Sequence, residues 1–463
     1  MRTMGSIEAH YAPSVPRSSS RWTPWRWTVL SYPLNKGSRG KGPKPQGGTT
    51  ETQSTGRSRR DAYCPCGGVV LPRFDRDESH QPFIALIRIR PPQSPMPAPP
   101  RGPGVSLIRP VCGLETFSQE TLASSFRLTY PTYELIFCVA RAGDPVVKLV
   151  ERLIAAHPHV PARLVIGDEK VCENPKLNNC VRGCDSAQFD WIILADSNVL
   201  MPQDYIQQLL AAWRQKSGLV CSMPLGSRPH NVWAEFECAF LNTYEARWQF
   251  TGEALGAGFA QGKTMLWRRD ILEAGGGIRA LGREIAEDAA GTKLVRAQGR
   301  KIHLVDAPFE QPLGLRSLRD VWNRQVRWAR MRRKTFPLYF LPEVFSGGAL
   351  PLAFGLLAAV LGDYNVPAVM AALFLLWYGP ESLLALHKHW PFTWRSPFLF
   401  LLRDFSLPAI YALAWCGDRF VWHGNAMDMR AQHAVPNGSG LQERADCCQE
   451  NAADFVESTS HSS

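Results

Sequence analysis

Apolar and polar positions alternate in blocks along the middle of the chain. Between about Val105 and Asp196, short apolar runs alternate with stretches whose apolar residues recur at helical spacing, such as residues 145–157. Strands that are apolar along their whole length are buried on both faces, so this pattern predicts a parallel sheet covered by helices on both sides. The predicted strands are VSLIRPVCG from Val105, YELIFCVA at 133–140, ARLVIG at 162–167 and DWIILAD at 190–196.

Three strongly apolar segments follow Phe336. They occupy residues 347–362, 366–386 and 398–415 and carry few charges. A helix that spans a membrane needs about 20 apolar residues, within a range of about 17–25, so each segment alone is borderline. Buried core helices of a soluble protein are the alternative. Three such segments in succession favour a membrane region with about three transmembrane helices, over residues 336–425.

Charge is distributed unevenly along the chain. Residues 1–104 carry 16 Lys or Arg, 6 Asp or Glu and 16 of the 36 prolines, whereas residues 426–463 carry 6 acids and 2 Arg. Both compositions predict disorder, because such segments bury too little apolar surface to offset their ordering entropy. The basic leader also suggests a misplaced start codon, with Met96 as the candidate start. Since the basic excess lies outside the predicted folded part, a nucleic-acid partner is not expected.

A second basic cluster lies just before the first apolar segment. Lys and Arg next to membrane helices are enriched on the cytoplasmic side, so this cluster predicts that the preceding domain, residues 105–335, faces the cytoplasm. The cluster consists of Arg327, Arg330, Arg332, Arg333 and Lys334.

Two polar motifs are candidates for binding a phosphorylated substrate. NPKLNN at 174–179 offers the cation Lys176 and three amides, although Asn and Pro are also common at turns and helix caps. Asp196-Ser197-Asn198 follows a predicted strand, at the edge where parallel sheets bind ligands. Its oxygen ligands would suit Mg²⁺ or Mn²⁺ held against a diphosphate. A helix cap is the alternative for Asp196.

Two further motifs point to acid–base and leaving-group chemistry. In IAED at 285–288, Asp288 is a candidate general base, and an acidic helix start is the alternative. Arg324 and Arg327 lie three residues apart, on one face of a predicted helix, where they could clamp a diphosphate. A basic anchor for lipid headgroups, with Trp328 at the interface, is the alternative.

One motif resembles a phosphate-binding loop but lacks its first glycine. Gly262-Lys263-Thr264 would need glycine at position 257, where the chain has Ala257. We interpret this segment as a tight turn that lines the acceptor side of a pocket.

Taken in order, NPKLNN, ADSN, IAED and RQVRW followed by apolar helices resemble the ceramide glucosyltransferases, from about Val105 to about His423. The resemblance implies an inverting membrane enzyme with a GT-A nucleotide-sugar fold, which has a Rossmann-like mixed sheet, followed by C-terminal transmembrane helices. It implies that Asp288 deprotonates the primary hydroxyl of ceramide, and that Asp196 and Asn198 hold a divalent cation. The residues implied to bind UDP-glucose are Asp144, Lys176, Asn178, Asp196, Arg324, Arg327 and Trp328.

The chain departs from the family pattern at Arg141, where an acidic residue is expected, so Asp144 is the remaining candidate for the nucleobase-binding aspartate. A membrane helix before the catalytic domain is also missing. Three alternatives stay open: another lipid acceptor such as a hopanoid or diacylglycerol with another UDP-sugar, a processive polysaccharide synthase, and an inactive membrane scaffold.

Overall fold

The computed structural model describes residues 81–90, 95–97, 99, 101–422 and 425–428. Its centre is a seven-stranded sheet with the strand order β3-β2-β1-β4-β7-β5-β8. Strands β6 and β9 form a second, parallel pair, and β10 and β11 form an antiparallel hairpin. The strands are β1 Val105–Pro110, β2 Tyr133–Val139, β3 Ala162–Ile166, β4 Trp191–Ala195, β5 Ser217–Ser222, β6 Pro224–Pro229, β7 Thr264–Arg268, β8 Lys301–Leu304, β9 Phe309–Gly314, β10 Arg419–Trp422 and β11 Asn425–Asp428.

The sheet is mixed, as the family resemblance implies, and not wholly parallel, as the hydrophobic pattern alone suggests. Strands β1 to β4 pair in parallel, and β5 pairs in parallel with β8. Strand β7 runs antiparallel to both of its neighbours, β4 and β5. The expectation of a parallel sheet is wrong for β7. A strand that is buried on both faces is apolar along its whole length whether it runs parallel or antiparallel to its neighbours, so the hydrophobic pattern does not reveal its direction.

Helices cover both faces of the sheet and continue beyond it. Helices α2, α3 and α5 enclose one apolar core, and α4, α8 and α9 pack on the other face. The helices are α1 Gln81–Arg88, α2 Ser118–Ser124, α3 Val146–Ala156, α4 Pro175–Asp185, α5 Tyr205–Ala211, α6 Val232–Cys238, α7 Ala246–Ala254, α8 Arg269–Ala274, α9 Glu287–Ala297, α10 Leu318–Thr335, α11 Pro337–Phe340, α12 Ala349–Leu361, α13 Val366–His387 and α14 Ser396–Trp415.

Helix α1 lies within the segment predicted to be unfolded, so that prediction is wrong for residues 81–89. Ala85 and Ile89 are buried in the apolar core on the face of the sheet that α4, α8 and α9 cover, which we call the main core. Arg88 forms an ion pair with Glu253 of α7 at 2.7 Å. The proline-rich composition of the leader as a whole concealed this short apolar segment. A chain that started at Met96 would lack the helix. The rest of the predicted leader, residues 1–80, and the acidic tail from 429 lie outside the described residues.

The C-terminal half contains the three apolar helices that the sequence predicts. Residues Pro337–Leu361, Val366–His387 and Ser396–Trp415 are long and apolar enough to cross a membrane. Between them and the sheet lies a layer of helices formed by α10 and by α6, a π-helical segment Ala239–Glu245 and α7 in one continuous run. This helix layer connects the predicted active site to the apolar helices.

Candidate active site

Lys176 lies at the centre of the predicted site. Its Nζ donates to Asp196 Oδ1 at 2.6 Å, to Glu287 Oε1 at 2.5 Å and to the Gly262 carbonyl oxygen at 2.6 Å. Asn174 fixes this position, because its Oδ1 caps α4 by accepting the backbone N–H of Lys176 at 3.0 Å, while its Nδ2 donates to Glu287 Oε2 at 2.7 Å. The helix-cap interpretation of NPKLNN therefore holds for Asn174, whereas the substrate-binding role of Lys176 stays a prediction.

Asp196 is bound by two lysines. Its Oδ1 accepts from Lys176, and its Oδ2 accepts from Lys263 Nζ at 2.9 Å. Burial alone would raise the pKa of this carboxyl, but the two ammonium groups outweigh burial and lower the pKa to about 2. Asp196 is therefore a carboxylate at any physiological pH.

The oxygens predicted to bind a metal converge on one cationic group. Lys263 Nζ lies 2.9 Å from Asp196 Oδ2 and 3.2 Å from Asn198 Oδ1. A carboxylate and an amide oxygen are ligands that Mg²⁺ and Mn²⁺ accept, so this donor set fits a divalent cation. Within the described part of the chain, no cluster of three or more His, Cys, Asp or Glu side chains forms a ready-made metal site.

Asp288 lies in the first turn of α9, next to Glu287. Its Oδ2 accepts the backbone N–H of Gly262 at 3.0 Å, and its Oδ1 accepts that of Ala289 at 2.7 Å. Burial, with the charge of Glu287 adding to it, raises the pKa of Asp288 to about 6 despite the opposing effect of Lys176. A carboxyl group with this pKa is a competent general base near neutral pH.

The RQVRW motif lies on α10, as predicted, and the buried Glu237 of α6 orients its first arginine. Arg324 Nη1 donates to Glu237, which also accepts from Arg316 Nε at 3.1 Å. Burial lowers the pKa of Arg324, and burial together with the neighbouring Arg324 lowers the pKa of Arg327 to about 10, so both remain cationic near neutral pH. Trp328 packs against an apolar cluster that includes Leu313.

A cleft lies between the loop after β4 and the segment that precedes α10. Ser197 and Asn198, which follow β4, line one part of it, and Arg316, which precedes α10, lines another. Glu115, in the loop after β1, also lines this cleft. Asn198 and the Arg316 guanidinium therefore border the same space, whereas a contact of Arg324 and Arg327 with a diphosphate stays a prediction.

Two predicted nucleotide-binding residues hold loops in place. Both carboxylate oxygens of Asp144 accept the backbone N–H of Gly113 at 3.0 Å, which holds the loop after β1. Asn178 Oδ1 accepts the backbone N–H groups of Val171 and Cys172, and its Nδ2 donates to the Cys172 carbonyl oxygen at 2.8 Å. The geometry gives Asn178 a role in shaping a loop, and its contact with a nucleotide stays a prediction.

Sequence reasoning missed three residues that build the site. Lys263 belongs to the segment that we interpret as a tight turn, yet it contacts both Asp196 and Asn198. The fully buried Arg109 of β1 donates from Nη2 to the carbonyl oxygens of Asp196, Ser197 and Val199 at 2.9–3.0 Å, which holds the chain beyond β4. Glu237 orients Arg324. A charged residue inside an apolar strand was the available signal for Arg109.

Comparison with known proteins identifies the family. Residues 81–435 match the model of glycosyl transferase family 21. The chain belongs to this family. The match begins at the first residue of α1, which confirms that this helix is part of the family's domain. A family 21 member is a hexosyltransferase, and the predicted resemblance to ceramide glucosyltransferases is confirmed.

Relatives named ceramide glucosyltransferase cover most of the chain. Ceramide glucosyltransferase 1 of Caenorhabditis elegans is 29% identical over 338 residues, which are 70% of this chain and 72% of the relative. The ceramide glucosyltransferase of Komagataella phaffii is 27% identical over 296 residues, covering 51% and 58% of the two chains. Among solved structures, a Pyrobaculum calidifontis mannosyltransferase in complex with GDP-Man and Mn²⁺ aligns with a TM-score of 0.43 at 16% identity, covering 72% of this chain and 92% of the mannosyltransferase.

Proposed function

We propose that this family 21 enzyme transfers glucose from UDP-glucose to the primary hydroxyl of ceramide, with inversion at the anomeric carbon. The observation that carries the proposal is Asp288, a partly buried carboxyl group whose pKa is raised to about 6. It accepts the backbone N–H of Gly262, and the next residue, Lys263, contacts both Asp196 and Asn198. The names of the relatives support glucose as the sugar and ceramide as the acceptor.

Asp288 takes the proton of the acceptor hydroxyl, whose own acidity is far too low at neutral pH. The backbone N–H groups of Gly262 and Ala289 orient this carboxylate. Lys176 binds both Glu287 and Asp196, and it thereby couples the position of the base to the donor side of the site. The hydroxyl oxygen attacks the anomeric carbon while the bond to UDP breaks, so a single displacement converts α-glucosyl to β-glucosyl.

The departing diphosphate needs positive charge. Arg324 and Arg327 supply guanidinium groups that remain charged although they are partly buried. Asp196 and Asn198 would hold a divalent cation, which neutralises diphosphate charge when bound. Among the described residues these two are the proposed ligands, in keeping with Mg²⁺ sites that complete their coordination with substrate phosphates and water.

The apolar helices, long and apolar enough to cross a membrane, support a membrane location, where a lipid acceptor is found. The basic end of α10 supports a catalytic domain on the cytoplasmic face. Because the acceptor resides in the membrane, Asp288 has to face the side on which the apolar helices lie. This requirement agrees with the packing of Met427, just after those helices, against Ile285, three residues before Asp288.

The test uses membranes that contain the full chain and Mg²⁺ or Mn²⁺. Labelled UDP-glucose, UDP-galactose and UDP-N-acetylglucosamine are supplied in separate reactions, each with ceramide or diacylglycerol in parallel. Mass spectrometry and the anomeric configuration identify the product. We expect β-glucosylceramide, and we expect it to disappear with a chelator. Transfer to diacylglycerol alone would overturn ceramide as the acceptor, and transfer from UDP-galactose or UDP-N-acetylglucosamine alone would overturn glucose as the sugar.

A further inference from the structure

The beginning of α14 is attached to the catalytic domain. Just before the helix, Thr393 Oγ1 donates to Glu235 Oε2 at 3.1 Å, and Arg395 Nη1 lies 3.4 Å from Glu235 Oε1. Glu235 lies on α6, whose N-cap Asn231 donates to the Arg316 carbonyl oxygen at 2.8 Å. The N-terminal end of α14 therefore lies at the helix layer that borders the active site.

The end of α14 is attached to the same domain. Arg330 of α10 donates to the Leu413 carbonyl oxygen at 3.5 Å, and Arg333 of α10 forms an ion pair with Asp418, just after the helix. The chain then forms the β10–β11 hairpin, in which Met427 packs against Ile285 beside the catalytic acids. Both ends of α14 therefore contact the catalytic domain.

The middle of α14 follows the helix layer as well. The Arg403 guanidinium donates to the Ala239 carbonyl oxygen at 2.9 Å and to Thr243 Oγ1 at 3.0 Å, both in the π-helical segment. The opposite face of the helix exposes large apolar side chains. These are Phe398, Leu402, Phe405, Leu413 and Trp415.

Length excludes a membrane crossing for a helix held in this way. The 20 residues of α14 extend about 30 Å at 1.5 Å per residue, which is about the thickness of the hydrocarbon core. A crossing helix of this length has its ends on opposite sides of the bilayer. Contacts from both ends and the middle of α14 to one folded domain are incompatible with that arrangement.

We propose that α14 lies in the plane of the membrane, on the leaflet that faces the catalytic domain, with its apolar face in the boundary between headgroups and acyl chains. The C-terminal tail is then on the same side as the catalytic domain, whereas three crossings would place it on the opposite side. This topology goes beyond the proposed function, because it holds for any sugar and any lipid acceptor.

The hairpin of α12 and α13 provides the contrast. It turns at residues 362–365 and exposes apolar side chains such as Phe354, Leu357 and Leu361. Within the described residues this hairpin is the segment that enters the bilayer interior. Its second helix, α13, ends at the catalytic domain, because Leu384 and Ala385 pack in the main core. A hairpin leaves both of its ends on one side, which agrees with the proposed position of the tail.

A protease-protection experiment tests the side of the tail. One epitope tag is inserted after Gln215, in an exposed loop of the catalytic domain, and another follows Ser463. Residues 429–463 contain no apolar run long enough to cross a membrane. In sealed vesicles whose catalytic-domain tag is digested, we expect the tail tag to be digested too. A tail tag that survives until detergent is added would overturn the proposal.

A matched pair of substitutions tests the depth of α14. Phe405, at the middle of α14, is 55% exposed, and Phe354, at the middle of α12, is 66% exposed. A lysine on an in-plane helix reaches the headgroups, whereas a lysine in the bilayer interior is costly. We expect Phe405→Lys to leave membrane recovery and the glycosyl-transfer rate within about twofold of the parent, and Phe354→Lys to reduce recovery at least fivefold. Equal losses in the two variants would place α14 across the membrane and reject the proposal.

Discussion

Two clusters of charged side chains lie in different parts of the molecule, one at the start of α9 and one where α13 and α14 meet the helix layer. The active-site cluster consists of Lys176, Lys263, Asp196, Glu287 and Asp288. The membrane-side cluster consists of Arg247, Arg403, Glu381 and Asp404. Both join residues that are far apart in the sequence, and both use lysine or arginine to hold carboxylates.

The membrane-side cluster is closed and balanced. Arg403 contacts Glu381 at 3.0 Å and Asp404 at 2.7 Å, Arg247 forms an ion pair with Glu381, and Tyr378 donates to Asp404 at 3.1 Å. Two cations face two acids, and all four side chains are at most 2% exposed. Such a cluster has no side open to a ligand, so it joins α13 and α14 to the helix layer.

The active-site cluster is open and carries an excess of acid. Its two lysines face three carboxyl groups, and Lys176, Lys263 and Asp196 remain 13–19% exposed. Because Lys176 and Lys263 both contact Asp196, Asp288 is left with backbone donors and the repulsion of Glu287. With Asp288 as the proposed base, the difference between the proposed active site and the structural cluster is incomplete compensation of charge, and not burial itself.

The largest expected effect is a loss of glycosyl-transfer activity when the active-site cluster loses its proposed base. Asp288→Asn removes the proposed general base, so we expect kcat for glycosyl transfer to fall about 10²–10⁴-fold. The melting temperature should change little, because the amide fills the same volume. Transfer to lipid and thermal unfolding are measured on the same membrane-extracted protein.

Asp270→Asn is the matched control, since this aspartate is 60% exposed on α8 and pairs with Arg268 away from the cleft. We expect parental activity for it. Lipid glycosylation at the parental rate in Asp288→Asn would show that Asp288 is not the base. The two clusters would then not differ in function.

The second prediction disrupts the membrane-side cluster. Arg403→Met leaves Glu381 and Asp404 buried without their shared partner, and the loss of one partner from a buried ion pair costs about 3–5 kcal/mol of folding free energy. Thermal unfolding in lipid nanodiscs measures the loss. Arg395→Met is the control, because the exposed pair of Arg395 with Glu235 should contribute about 1 kcal/mol or less. Equal destabilisation by the two substitutions would contradict the structural role of the closed cluster.

Much of this arrangement could be predicted from the sequence. Strands β1 to β4 and the three apolar helices appear as continuous hydrophobic runs, and Lys176, Asp196 and Asp288 belong to motifs whose order is specific. These features depend on residues that are neighbours in the chain, so local patterns identify them.

The remaining features depend on contacts between distant residues. The antiparallel direction of β7 leaves no trace in its apolar pattern, and the contact of Lys263 with Asp196 depends on β7 lying beside β4. Hydropathy cannot distinguish α14 from a crossing helix, because a helix in the plane of a membrane is also apolar. Its ion pairs and packing at both ends carry that information, and they join segments up to 160 residues apart.

The third prediction concerns a substitution that adds a methyl group inside the active-site cluster. A Cβ on Gly262 would lie 2.7 Å from Glu287 Oε1, 3.3 Å from Asp288 Oδ2 and 3.4 Å from Lys176 Nζ. Gly262→Ala should therefore displace Glu287 and shift Asp288 by a few tenths of an ångström. The rate should fall by less than the roughly 10²-fold that a displacement of about 1 Å costs. Gly379→Ala, on α13 with open space around it, is the control and should keep the parental rate. A parental rate in Gly262→Ala would show that the site tolerates a shift of Asp288.

The smallest expected effect is a pH dependence that only the open cluster produces. Burial and Glu287 raise the pKa of Asp288 to about 6, and the base acts as the carboxylate. The kcat/KM for transfer should therefore be constant above about pH 7 and fall about tenfold for each pH unit below 6. Asp196, with a pKa of about 2, stays charged throughout this range and contributes no step. Melting temperatures recorded at each pH exclude unfolding as the cause. A kcat/KM that stayed constant from pH 7 down to pH 5 would show that Asp288 remains ionised there, and its charge would then be compensated as fully as the charges of the membrane-side cluster.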